Sequence, residues 1–98
     1  MRALILALLV FPAFAGERIA RDGKDYVRII DSPCVHAGTL AHIRPQWRAK
    51  FQKAEASISG QRWFACWIEH DSGAIYVIFE DGDEGMMAAH AFKDDPGT

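Results

Sequence analysis

The chain has 98 residues, 11 basic and 13 acidic side chains, a formal net charge of −2 and 50% hydrophobic residues. That length holds one domain, and a charge this near balance argues against a general nucleic-acid binder or a protein held on anionic membranes by charge. The few acids in excess gather late: from Glu80 onward there are six acidic residues and one lysine, a distribution that solvates a surface or steers a partner.

The N-terminus reads as a leader. Met1 and Arg2 give a short positive start, Ala3 to Phe11 is an unbroken apolar run, and Pro12-Ala13-Phe14-Ala15 ends in the small-x-small pattern that a signal peptidase cuts. The run is shorter than the ~20 apolar residues a membrane-spanning helix needs, so no stable anchor is expected after cleavage. The expected organisation is a signal peptide over 1–15 and a single domain over 16–98. Glycine rather than cysteine follows the cut, which argues against a lipoprotein site.

Export gives the two cysteines a meaning. In an oxidising compartment Cys34 and Cys66 are read most simply as one disulfide. It would close a loop of about 33 residues, for which chain entropy predicts on the order of 3 to 4 kcal/mol. For a domain this small that is a large share of its stability.

Arg21-Asp22-Gly23-Lys24 places a turn between two short runs, predicting a hairpin over residues 17–30. Asp31-Ser32-Pro33 then breaks the strand, with Ser32 as N-cap and Pro33 at the first helical position. From Cys34 to about Ala54 the apolar residues Val35, Leu40, Ile43, Trp47, Phe51 and Ala54 recur at intervals of three, four or five, a helical spacing. Gly38 and Pro45 divide that segment, giving a broken helix on which Trp47 and Phe51 share a buried face. The rest reads as a meander of strands over 54–59, 62–69 and 74–80, followed by a short edge strand or irregular return over 86–92. The tail, 94–98, is expected to fray.

The expected fold is therefore α+β: a small antiparallel sheet of four to five strands with the broken helix packed on one face and one disulfide. Along Arg62 to Glu69, alternation puts Phe64, Cys66 and Ile68 on one side and Trp63, Ala65 and Trp67 on the other. The Cys66 side should receive the helix. The opposite side, with Trp63, Trp67 and Tyr76, is the leading candidate binding surface, since exposed aromatic patches mark interaction sites. That side must be covered by the hairpin, another subunit or a ligand, and the plainer reading is that the hairpin or the tail covers it, with the Trp N–H groups reaching water at the rim.

Asp81 and Asp83, in the turn Glu80-Asp81-Gly82-Asp83-Glu84, form a second candidate binding element. An EF-hand loop begun at Asp81 fails twice, because Met86 and Phe92 stand where glycine and glutamate are required; hairpin chemistry explains the turn. The histidines 36, 42, 70 and 90 lack zinc-ligand spacing, so no metal or other cofactor is expected. There is no nucleophile elbow or phosphate loop, and no catalytic residue is assigned. Arg44, Arg48, Lys50 and Lys53 read as a solvated helix surface rather than an anion-binding stripe.

Through Asp31-Ser32-Pro33-Cys34, Phe51-Gln52-Lys53-Ala54, Ala65-Cys66-Trp67 and Glu80-Asp81-Gly82-Asp83, the chain resembles small exported proteins of unassigned activity encoded in proteobacterial phages and prophages. The likeness covers most of residues 16–98 and departs from the group's Ile-Pro pair near Met86-Met87-Ala88-Ala89. It implies a periplasmic or secreted accessory that touches a host envelope protein. The function expected is thus a non-enzymatic binding module, a modulator of such a protein. The alternatives are a small hydrolase or thiol enzyme built around His70, Asp71 or Cys66, and a structural subunit that oligomerises through its sheet face.

Overall fold

The structure, a computed structural model, describes residues 16–94. The expected leader, 1–15, and the tail beyond Asp94 lie outside the described residues. The first hairpin forms where the turn chemistry places it: β1 (Glu17–Asp22) and β2 (Asp25–Pro33) pair antiparallel, with Asp22 opposite Asp25 across Gly23-Lys24. After an excursion, β3 (Gln52–Ile58), β4 (Gln61–Glu69), β5 (Ile75–Phe79) and β6 (Glu84–Met87) continue the meander, and β7 (Lys93–Asp94) returns to pair with β1. The result is one seven-stranded antiparallel sheet in the order β6-β5-β4-β3-β2-β1-β7, curled into a half-barrel.

The expected α+β fold is corrected by this sheet, for strands make up 53% of the structure. What was read as a broken helix over residues 34–54 is one α-helical turn, α1 (Ala37–Leu40), and a 3-10 helix (Pro45–Lys50). A helix this short recovers little of its nucleation cost from its own hydrogen bonds; Gly38 weakens it from within, and Pro45 bars a continuous helix through it. Ser32 and Pro33 do not start it. β2 runs through both, with Pro33 paired to Gln52 past an irregularity in register, and His36 is the N-cap, its Nδ1 accepting the Thr39 N–H at 3.2 Å. Trp47 and Phe51 do not share a buried face either. The 3-10 segment has about three residues per turn, so positions four apart diverge; Phe51 is buried and Trp47 is 46% exposed.

The sheet sorts its side chains by alternation. On one face Ala20, Val27, Ile29, Ala54, Ala56, Ala65, Trp67, Ile75 and Val77 form the main core with Phe92, and Trp63, Phe79 and Met87 pack against it. Met87 of β6 and Ala20 of β1 line a common hollow although four strands lie between theirs. This face is therefore the concave one, and the curl brings its margins together. Phe92, set in place by the 3-10 turn Ala89–Ala91, joins that core between β6 and β7. The return over 86–92 is thus part edge strand and part irregular, and the tail contributes Asp94 to β7.

On the convex face a smaller core of Cys34, Ile43, Phe51, Cys66 and Ile78 holds the excursion of residues 34–51 against β4 and β5. This strap is closed at its neck by the Cys34 N–H donating to the Phe51 carbonyl at 3.1 Å. The Cys34–Cys66 disulfide fastens it to the centre of the sheet, with the two Cα atoms 5.7 Å apart. Further along the same face, Arg28 pairs with Glu17 and Glu55, and Glu55 also with Arg62.

Candidate functional site

β4 alternates as its sequence requires, but the register between strands divides the expected aromatic surface. Trp67 stands opposite Val77 and Ile68 opposite Tyr76, and directly opposed residues share a face. Tyr76 consequently lies on the convex side with Ile68, while Trp63 and Trp67 point into the concave core. Trp67 is only 4% exposed; its indole N–H donates to the Ile30 carbonyl at 3.0 Å and the Arg18 guanidinium lies 5.5 Å from its ring. It offers no surface to a partner. The cover comes from the curl of the sheet and from Phe92, a long-range closure that the strand pattern does not announce.

Trp63 is half-buried at one end of the half-barrel, where Ile58, Phe79, Asp81 and Asp83 join it around a hollow of about 170 Å³. Three of the five expected binding residues thus come together, away from Trp67 and Tyr76. The two aspartates serve the turn itself. Asp81 Oδ1 accepts the Asp83 N–H at 2.9 Å, and the Phe79 N–H donates to the Asp83 carbonyl at 2.8 Å.

The histidines are spent separately. His36 caps α1 and stacks on Phe64 with ring centroids 4.3 Å apart; His42 Nε2 donates to the Glu80 carbonyl at 3.1 Å; His70 Nδ1 accepts the Ser72 N–H at 3.1 Å. Among the described residues no group of three or more His, Cys, Asp and Glu side chains is placed to hold a metal. Both sulfurs are committed to the disulfide and Cys66 is fully buried, so Cys66 is no nucleophile. Of the basic residues, Arg48 donates from Nε to the Ile43 carbonyl at 2.8 Å, and Lys50 sits 5.0 Å over the Trp47 ring.

The convex face carries what the sequence reading missed. Because the strap is too short to cover the whole face, apolar side chains remain in the open on both of its flanks. On one flank Val35 is 72% and Phe64 55% exposed, bordering a hollow of about 380 Å³ beside Cys34, His36, Lys53 and Glu55. On the other flank a groove of about 480 Å³ runs between the strap, which contributes Arg44 and Trp47, and the end of β4 with the turn that follows it, which contribute Glu69, His70 and Asp71. Tyr76 lies in its floor. Burial, then a hydrogen bond to Glu84 and that carboxylate's negative charge, push the Tyr76 phenol up to about 12. The phenol therefore stays protonated and donates to Glu84 at 2.8 Å. The legible signal was Phe64: it shares a face with Cys66, three apolar positions in a row on that side, and a four-residue helix cannot shade them all.

Comparison with protein families, with curated proteins and with solved structures yields no match to the chain.

Proposed function

We propose that the protein is an exported, non-enzymatic binding module whose convex face docks on a protein of the cell envelope. The observation that carries this reading is where the exposed apolar side chains fall. Of the large hydrophobic residues left exposed among the described residues, Ile58 stands at the rim of the concave side, whereas Val35, Trp47, Phe64 and Met86 all belong to the convex side. Such clustering on one side of a small domain marks a surface for association, and an aromatic anchor such as Phe64, on the flank that also bears Val35, carries much of the energy at a protein interface.

The surface is also rigid. The disulfide, the neck hydrogen bond and the His42–Glu80 contact hold the strap in one position, which lowers the entropy lost on docking. The leader read over residues 1–15 and the disulfide both suit an oxidising compartment, and the resemblance to exported phage proteins suggests a periplasmic or secreted modulator of a host envelope protein.

The test is capture from envelope extract by the exported protein, compared with a Val35→Ser/Phe64→Ser variant and an Ile58→Ser control. The reading expects one partner retained by the parent and the control and lost by the double variant, all three having the same circular dichroism. Equal retention by the double variant would overturn it.

A further inference from the structure

We infer that the groove between the strap and the β4–β5 turn is a saccharide-binding site. It lies on the opposite flank of the strap from Val35 and Phe64, so this inference goes beyond the protein-docking reading and stands or falls separately from it. At about 480 Å³ it falls within the range of about 300–1,000 Å³ that small-molecule sites occupy. Its floor is apolar, formed by Phe51, Ile68, Tyr76 and Ile78, and its walls are charged.

The walls decide the class of ligand. Among the described residues Arg44 on one wall and Glu69 and Asp71 on the other make no ion pair and no side-chain hydrogen bond. Toward protein groups their bonding capacity is unspent, and it is of opposite sign. An acyl chain laid in the groove would desolvate three charges without pairing any of them. An anion would meet two carboxylates, and a zwitterion, whose one ammonium can pair with only one of them, would leave the other facing its own anionic group. A cation would meet Arg44 and, at the Trp47 ring, the ammonium of Lys50 already 5.0 Å away. A neutral ring bearing many hydroxyls satisfies all of these groups: its hydroxyls donate to Glu69 and Asp71 and accept from Arg44, as charge-assisted bonds. Its C–H face meanwhile lies against the exposed indole of Trp47.

The geometry is set before any ligand arrives. His42 ties the strap to the turn after β5 through the Glu80 carbonyl, and Arg48 braces the segment bearing Arg44 by donating to the Ile43 carbonyl. On the far wall the Ser72 N–H holds His70 Nδ1 as an acceptor, so in the neutral ring Nε2 carries the proton as a further donor.

The experiment is a titration of the exported protein with maltotriose, isomaltotriose and N,N′-diacetylchitobiose, with phosphocholine as a zwitterionic control, read by isothermal titration calorimetry, which does not depend on Trp47 as a reporter. At least one saccharide is expected to give a saturable change in the millimolar range or tighter, and phosphocholine none. Trp47→Ala should abolish that response. Arg44→Ala and Asp71→Ala should each weaken binding about tenfold or more, and the Val35→Ser/Phe64→Ser variant should bind as the parent does. These groove residues are exposed, so circular dichroism should be unchanged by their replacement. No saturable response to any of the three saccharides, a response to phosphocholine alone, or saccharide binding that survives Trp47→Ala with its affinity intact would overturn the assignment. None of these results bears on protein capture by the other flank.

Discussion

Gly82 has φ +90°, and a Cβ built on it would stand 3.1 Å from both Cε1 and Nδ1 of the His42 ring. Gly23 also has a positive φ, +64°, but a Cβ there would meet nothing within 4 Å. Strain in the left-handed region costs about 1–3 kcal/mol, so Gly82→Ala should destabilise by at least that much and by more than Gly23→Ala, as measured by chemical denaturation. Equal losses at the two positions would mean that His42 does not seat against the turn. Tyr76 supplies a second test at this scale. Its folded-state value of about 12 lies above the ordinary 10.0, so the fold favours the neutral phenol. That contribution is complete below pH 10 and is lost as pH rises from there through about 12. Alkaline absorbance titration should show a late phenolate that Tyr76→Phe removes and Glu84→Gln brings to lower pH. A Tyr76 that ionises near 10 in the folded protein would contradict its partial burial and its hydrogen bond to Glu84.

The strap is the element on which the convex face depends. Its disulfide spans a sequence separation of 32, and removing a bridge of that kind costs about 2–5 kcal/mol. A Cys34→Ala/Cys66→Ala variant is expected to lose stability in that range while keeping its strand signal, because the ladders from β1 to β6 do not run through the strap. It should also bind a hydrophobic dye more strongly as Ile43, Phe51 and Ile78 are uncovered. Loss of the strand signal would mean that the strap organises the sheet rather than decorating it. This element also marks the limit of what the sequence made legible. Alternation along Arg62–Glu69 separated Trp67 from Cys66 correctly, and two cysteines behind a segment read as an export leader implied their own pairing. Intervals of three to five between Val35 and Ala54 looked helical, yet a helical turn, a 3-10 turn and the start of a strand produce the same intervals. Tyr76 was set beside the wrong neighbours because its face depends on the register with β4, which the turn at residues 70–74 fixes and no alternation within β5 reveals.

At the scale of the whole molecule the sheet has two unlike sides, one closed on itself by curling and one partly covered by a strap. The closure joins β1 to residues near the end of the described chain, contacts far apart in sequence, and so it left no local trace. Core burial of this kind makes Trp67→Ala costly, about 3–5 kcal/mol by thermal or chemical unfolding, and a loss under 1 kcal/mol would place that ring outside the core. If the reading of residues 1–15 as a leader is right, the exported protein should have the mass of residues 16–98 with one disulfide and no free thiol; a retained N-terminus would refute it. The unlike exposure of the two sides is what any docking or ligand site rests on, and acrylamide quenching of tryptophan fluorescence reads it directly. With each tryptophan retained singly by replacing the other two with phenylalanine, Trp47 should be quenched strongly, Trp63 less and Trp67 hardly at all; a Trp67 quenched as readily as Trp47 would mean that the sheet does not close over its concave side.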